Sequence, residues 1–262
     1  MIIGFDHVVI AVRDLKAGVA AYETLLGRGV VERGVGDGVA RAVIATDNIA
    51  VELMAPEGEG AAAQRLRTAL EDGEGLKSLV FAAGDVAQAH RRAGRVGLDP
   101  ETVSDSGAFR LNTARTHGVR LFLMQRRAPL QATPAGDAGV IGLDHVVIRT
   151  PDAERAAALY GARLGLDMRL DREIAGRRLM FFRCGNAVLE IVHDASLADG
   201  RDQLWGLSWR VADAAAAQAR LAAAGLNVSD VRPGLKPGTR IVSVRDGTCG
   251  VPTLLIEKTA RG

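Results

Sequence analysis

The chain has 262 residues, 48% of them hydrophobic and 24% charged, with a formal net charge of +2. That balance suits one or two globular domains with buried cores. Scattered arginines at near-neutral net charge leave no footprint for nucleic acid, and no run approaches the roughly 18 apolar residues of a membrane span.

The start, "MIIGFDHVVI", lacks a basic segment and a small-residue cleavage site, so it does not read as a signal peptide. Cys184 and Cys249 form no CxxC and read as free thiols, which fits a reducing cytoplasm. "FDHVVI" at Phe5 is an apolar run of strand length. Asp14 is a natural N-cap for the helix that follows, in which Leu15, Val19, Tyr22 and Leu26 fall on one face and Gly27 ends the run. "VARAVIAT" and "IAVELMAP" are two more strands, joined through "TDN".

The same pattern returns 138 residues later at "LDHVVI". His7 meets His145, Asp14 meets Asp152, Tyr22 meets Tyr160, Gly27 meets Gly165, Asn48 meets Asn186 and Glu52 meets Glu190, all without a gap. Such a register over about fifty residues marks a duplication. A fainter unit follows each copy. One runs strand, Asp85 cap, helix and a stop at Gly97; the other runs strand, Asp213 cap, helix and a stop at Gly225. Each ends in two strands around a glycine turn. The expected fold is α+β, with four βαβββ modules in two domains, 3–127 and 141–259. The Pro-, Ala- and Gly-rich stretch 128–140 is the expected linker.

The "DHVVI" strand, the "Y…LG" helix end and the "VELMAP" strand resemble the vicinal oxygen chelate superfamily. It includes glyoxalase I, extradiol dioxygenases, methylmalonyl-CoA epimerase and the bleomycin and fosfomycin resistance proteins. The resemblance implies curled sheets that form a cup. It also implies a divalent metal held by a first-strand residue and a fourth-strand glutamate from each of two modules. Carried onto this chain, the metal ligands are His7, Glu52, His145 and Glu190, with Glu52 and Glu190 also the candidate catalytic residues. Imidazole and carboxylate donors suit Zn, Ni, Fe, Mn or Co.

Modules two and four depart from that pattern. Ser78 and Gly206 stand at the histidine position, and Phe122 and Leu254 at the glutamate position. Gln125 and Glu257 lie three residues farther on and face the opposite side by parity. If modules pair in sequence, each cup holds one His and one Glu, which makes a weak ion site. If modules one and three share a cup, or a homodimer pairs equivalent modules, a four-ligand set is complete.

Two function classes follow from the resemblance. One is a metal-dependent lyase or isomerase acting on a small carbonyl or thioester substrate, in which a glutamate moves a proton. The other is a metal-free sequestration protein of the bleomycin-resistance type, with no cofactor. An extradiol dioxygenase is disfavoured, because each in-sequence cup lacks a second histidine. In each case the expected partner is a small molecule in the cytoplasm, neither nucleic acid nor membrane. Other features read as structural. "GVGDG" is a hairpin loop, His117 a solvated turn residue, His90 and His193 surface residues, and Tyr22 and Tyr160 helix-to-sheet packing. Trp205 and Trp209 are read as apolar walls beside Gly206.

Overall fold

The computed structural model describes residues 1–125, 131–136, 138–174 and 176–258. Residues 128–130 and 137 of the expected linker lie outside the described residues. Module one comprises β1 (Ile2–Ala11), α1 (Leu15–Leu26), β2 (Val30–Gly36), β3 (Val39–Ala45) and β4 (Ala50–Pro56). A helix α2 (Ala61–Glu71) follows, outside the repeat. Module two has β5 (Gly75–Ala83), α3 (Val86–Arg95), β6 (Ala108–Arg110) and β7 (Leu121–Gln125). It is one strand short of the expected pattern; at that place a single bridge joins Pro100 to Leu111.

Module three has β8 (Val140–Thr150), α4 (Ala153–Ala157), β9 (Asp167–Ile174), β10 (Arg177–Cys184) and β11 (Ala187–His193). Its helix continues as a π-helical turn over Ala158–Arg163. Module four has β12 (Gln203–Val211), α5 (Ala214–Ala223), β13 (Arg232–Pro233), β14 (Thr239–Val244) and β15 (Thr253–Lys258).

The helices start where the side chains require. Asp14, Asp85, Asp152 and Asp213 are extended residues whose carboxylates accept the free amides of Ala17, Gln88, Arg155 and Ala215/Ala216. Gly27 closes α1 in the left-handed region, φ 64°.

The chain folds into two curled mixed sheets. The first runs β2-β3-β4-β1-β5-β7-β6 and the second β13-β14-β15-β12-β8-β11-β10-β9. Modules therefore pair in sequence, one with two and three with four. Packing groups the chain differently. One compact unit contains Met1–Val8, Ser78–Pro129 and His145–Trp205; the other contains Val9–Lys77, Leu130–Asp144 and Gly206–Gly262.

In the first unit Phe5 stacks on Phe81 and Tyr160 tilts against Phe182, all within buried or half-buried strands and helices. In the second unit Tyr22, Leu25, Leu26, Ile44 and Leu53 are fully buried. The buried Arg28 there donates to the carbonyls of Thr133, Val140 and Ile141 and to Asp47. Asn48 is one residue of the repeat with a visible structural role. Its amide donates to the Leu143 carbonyl at 2.9 Å and accepts the Leu143 amide at 2.8 Å, which fastens the β3–β4 turn to β8.

Candidate functional site

Strands β8 and β11 run parallel, with Val188 beside His145 and Glu190 beside Val147. Alternation puts His145 and Glu190 on one face of the sheet. Two positions apart along the ladder, the side chains meet: His145 Nε2 lies 3.0 Å from Glu190 Oε2, and each side chain is 15% exposed. Phe181 on β10 stands directly opposite Glu190 in the antiparallel register and supplies a half-buried aromatic edge.

Module one places its equivalents on separate compact units, His7 in the first and Glu52 in the second. His7 Nδ1 contacts Asp6 at 2.8 Å. Glu52 accepts from Arg41 Nη1 at 3.2 Å, and Arg41 also pairs with Glu32 at 2.6 Å. Desolvation lowers the Arg41 pKa, but these two carboxylates outweigh it and leave the value raised, so the guanidinium stays charged.

Modules one and three lie in different sheets. The substituted positions in module four are structurally committed. A Cβ on Gly206 would lie 2.7 Å from the Pro252 carbonyl oxygen, so no imidazole fits at this position without moving backbone. Leu254 pairs with Ser208, two positions past Gly206, as Glu190 pairs with Val147. Glu257 and Gln125 face the helices, as parity requires. Glu257 accepts the first amide of α5, from Ala214, at 2.8 Å and pairs with Arg240; Gln125 accepts the first amide of α3, from Val86, at 3.3 Å. Neither is a ligand to the opposite face.

The tryptophans correct the expectation of an apolar wall. Trp209 is fully buried, and Trp205 is half exposed beneath the Arg149 guanidinium, 5.9 Å from its ring centre. Both alternate away from Gly206. Arg149 is itself held by Asp194. His193 contacts the Pro151 carbonyl at 3.3 Å, and His90 contacts the Glu101 carbonyl at 3.0 Å and meets the edge of Phe109.

A firmly held divalent ion takes three or more protein donors. Among the described residues, no group of three or more His, Cys, Asp or Glu side chains is placed to share one. The His145–Glu190 separation suits two adjacent ligand positions, but two donors do not fit a resident metal.

One cluster was invisible to motif reading. His117 is mostly buried, not solvated. Its Nδ1 faces Asp202 Oδ2 at 3.5 Å, and the Asp202 side chain is 0% exposed. Asp202 Oδ1 accepts from Thr150 Oγ1 at 2.7 Å and from Arg155 at 3.0 Å. A signal existed: the same position one repeat earlier is also acidic, Glu74.

Residues 5–164 match the family described as Glyoxalase-like domain, and residues 144–242 match the Glyoxalase/Bleomycin resistance protein/Dioxygenase superfamily. No curated protein matches. Solved structures share the fold at low identity. A triple mutant of 4-hydroxymandelate synthase from Streptomyces coelicolor has TM-score 0.76 and 15% identity, with 100% of this chain and 95% of that chain covered. The Mn(II)-bound glyoxalase from Novosphingobium aromaticivorans has TM-score 0.71 and 15% identity, covering 98% and 82%. A halotolerant catechol dioxygenase has TM-score 0.68 and 14% identity, covering 98% and 87%. With the model match spanning more than half its length, the chain belongs to the glyoxalase-like family of the vicinal oxygen chelate superfamily.

Proposed function

We propose that the chain is a lyase or isomerase that moves a proton on the carbon beside a carbonyl or thioester group of a small molecule. The observation that carries this reading is the half-buried His145–Glu190 contact at 3.0 Å on one sheet face. Glu190 is the base that takes the carbon-bound proton. His145 holds the Glu190 carboxylate in place and passes protons between it and solvent. Such a positioned base accelerates proton transfer by roughly 10²–10⁴-fold. Phe181 supplies apolar surface for the body of the substrate. Because the donor set does not fit a resident metal, no step runs through one.

A second reading, a metal-free protein that holds a small molecule, is favoured by Gly206 and Leu254 at the positions where ligands would stand. One experiment separates the two. The protein is incubated in D2O with hemithioacetals of 2-oxoaldehydes and with epimerisable thioesters, and solvent deuterium in the carbon-bound position is followed by NMR. Enzyme-dependent exchange that falls about 100-fold or more in Glu190→Gln supports the lyase or isomerase. Exchange that Glu190→Gln leaves unchanged overturns the role of Glu190. Binding without exchange in either protein leaves the holding function.

A further inference from the structure

We infer that His117 forms a second acid–base site, in which Asp202 is the positioning residue and Nε2 is the solvent-facing base for a small ligand that presents an O–H or N–H donor. The site lies in the first compact unit, where the turn before β7 meets the end of the β11–β12 connection. Its construction starts from Asp202. That carboxylate is wholly buried, its amide donates to the His117 carbonyl at 2.8 Å, and Thr150 and Arg155 hold its Oδ1. Its Oδ2 is buried without a hydrogen-bond partner, and the atom facing it is His117 Nδ1, likewise buried and unpartnered. A buried carboxylate oxygen stabilises an N–H on the nitrogen it faces. The proton therefore belongs on Nδ1, and the lone pair on Nε2. The imidazole is 14% exposed with Nδ1 buried, so the Nε2 edge is the part that reaches solvent.

His117 also sits at φ 55°, a left-handed conformation that a side-chain-bearing residue adopts at a cost of about 1 kcal/mol or more. The pseudo-equivalent turn in the other unit carries Cys249 in the same conformation, φ 49°. There the neighbouring tyrosine, Tyr22, donates to the Thr248 carbonyl at 3.3 Å; the Tyr160 hydroxyl beside Asp202 is buried and unpartnered. Only one of the two corners, among the described residues, leaves buried polar atoms turned toward a histidine.

The groups around the ring set its charge state. Burial is the largest influence and lowers the His117 pKa; Asp202 raises it, while Arg155 and Arg163 lower it further. The imidazole is thus neutral and basic near neutral pH. Arg163 donates to the backbone carbonyls of Val96, Gly97 and Arg115. A ligand O–H or N–H therefore donates its hydrogen bond to the Nε2 lone pair.

The test reads the nitrogen resonances of the 15N-labelled full-length protein. At pH 8, His117 is expected in the Nδ1–H tautomer; an Nε2–H tautomer overturns the proposal. In Asp202→Asn the tautomer should invert. Carbethoxylation by diethyl pyrocarbonate, mapped by mass spectrometry, should then slow about tenfold or more at His117. An unchanged rate in an Asp202→Asn protein with native spectra elsewhere counts against the positioning role.

Discussion

The two compact units solve one corner twice, with different chemistry. Before the last strand of its second-type module, each has a turn with a left-handed residue followed by glycine: His117-Gly118 in one unit and Cys249-Gly250 in the other. Each buries a tyrosine from the first-type helix, Tyr160 or Tyr22, and each places a carboxylate ahead of the next first strand, Asp202 or Glu74. In the first unit the carboxylate is buried and faces an imidazole. In the second, Glu74 accepts the Arg13 amide at 2.6 Å, and the residue beside it is a half-buried thiol. Burial and Glu74 push the Cys249 pKa up to about 11, so the thiol stays protonated and inert. The backbone geometry survived duplication because a left-handed turn and a filled helix–sheet gap are packing requirements. The polar side chains diverged because packing does not specify them.

The comparison is broken most directly at the carboxylates. Asp202→Ala removes the buried carboxylate that accepts from Thr150 and Arg155 and should cost roughly 3 kcal/mol of unfolding free energy. Glu74→Ala should cost less than about 1 kcal/mol, because its partner is a near-surface backbone amide. Urea denaturation of both variants checks the difference, and equal losses would erase the distinction between the corners. The tyrosines sharpen it at smaller scale. Tyr22→Phe gives up the bond to the Thr248 carbonyl and should lose about 1 kcal/mol; Tyr160→Phe removes an unpartnered buried hydroxyl and should be neutral or mildly stabilising.

The smallest effect is in the pH dependence, and the two corners should work at opposite ends. The folded pKa of His117 lies below its ordinary 6.5, so the unfolded chain takes up the proton first. Its contribution to stability is complete above pH 6.5 and shrinks as pH falls from there toward the folded value. The folded pKa of Cys249 lies above its ordinary 9.0, so its contribution is complete below pH 9.0 and shrinks as pH rises toward about 11. Thermal unfolding midpoints across pH should show the acid slope reduced in His117→Gln and the alkaline slope reduced in Cys249→Ser.

Much of this architecture was legible in the sequence because it is local. The four capping aspartates act through amides two or three residues away, and strand parity alone turns Glu257 and Gln125 toward the helices. The His145–Glu190 pair was legible through duplication and the resemblance. What escaped depends on contacts distant in sequence. Helix α2 lies outside the repeat register that organised the reading. Gly206 looks like a lost ligand in a one-dimensional alignment, whereas the Pro252 carbonyl 2.7 Å from its would-be Cβ requires the glycine. His117, next to a glycine in a polar turn, has the local signature of a solvated residue. Its burial comes from Asp202, 85 positions away.

The way each compact unit draws strands from both halves of the chain has a consequence for synthesis. Module one packs with module four, and module two with module three. On a ribosome, the middle pair can condense while the first module still waits for β15 near the end of the chain. Closing so long a loop makes the late step slow and leaves the apolar face of module one uncovered meanwhile. Two fragments cut between the repeats would each contain one complete sheet and neither complete packed unit, so recovery of the fold would depend on their meeting as partners.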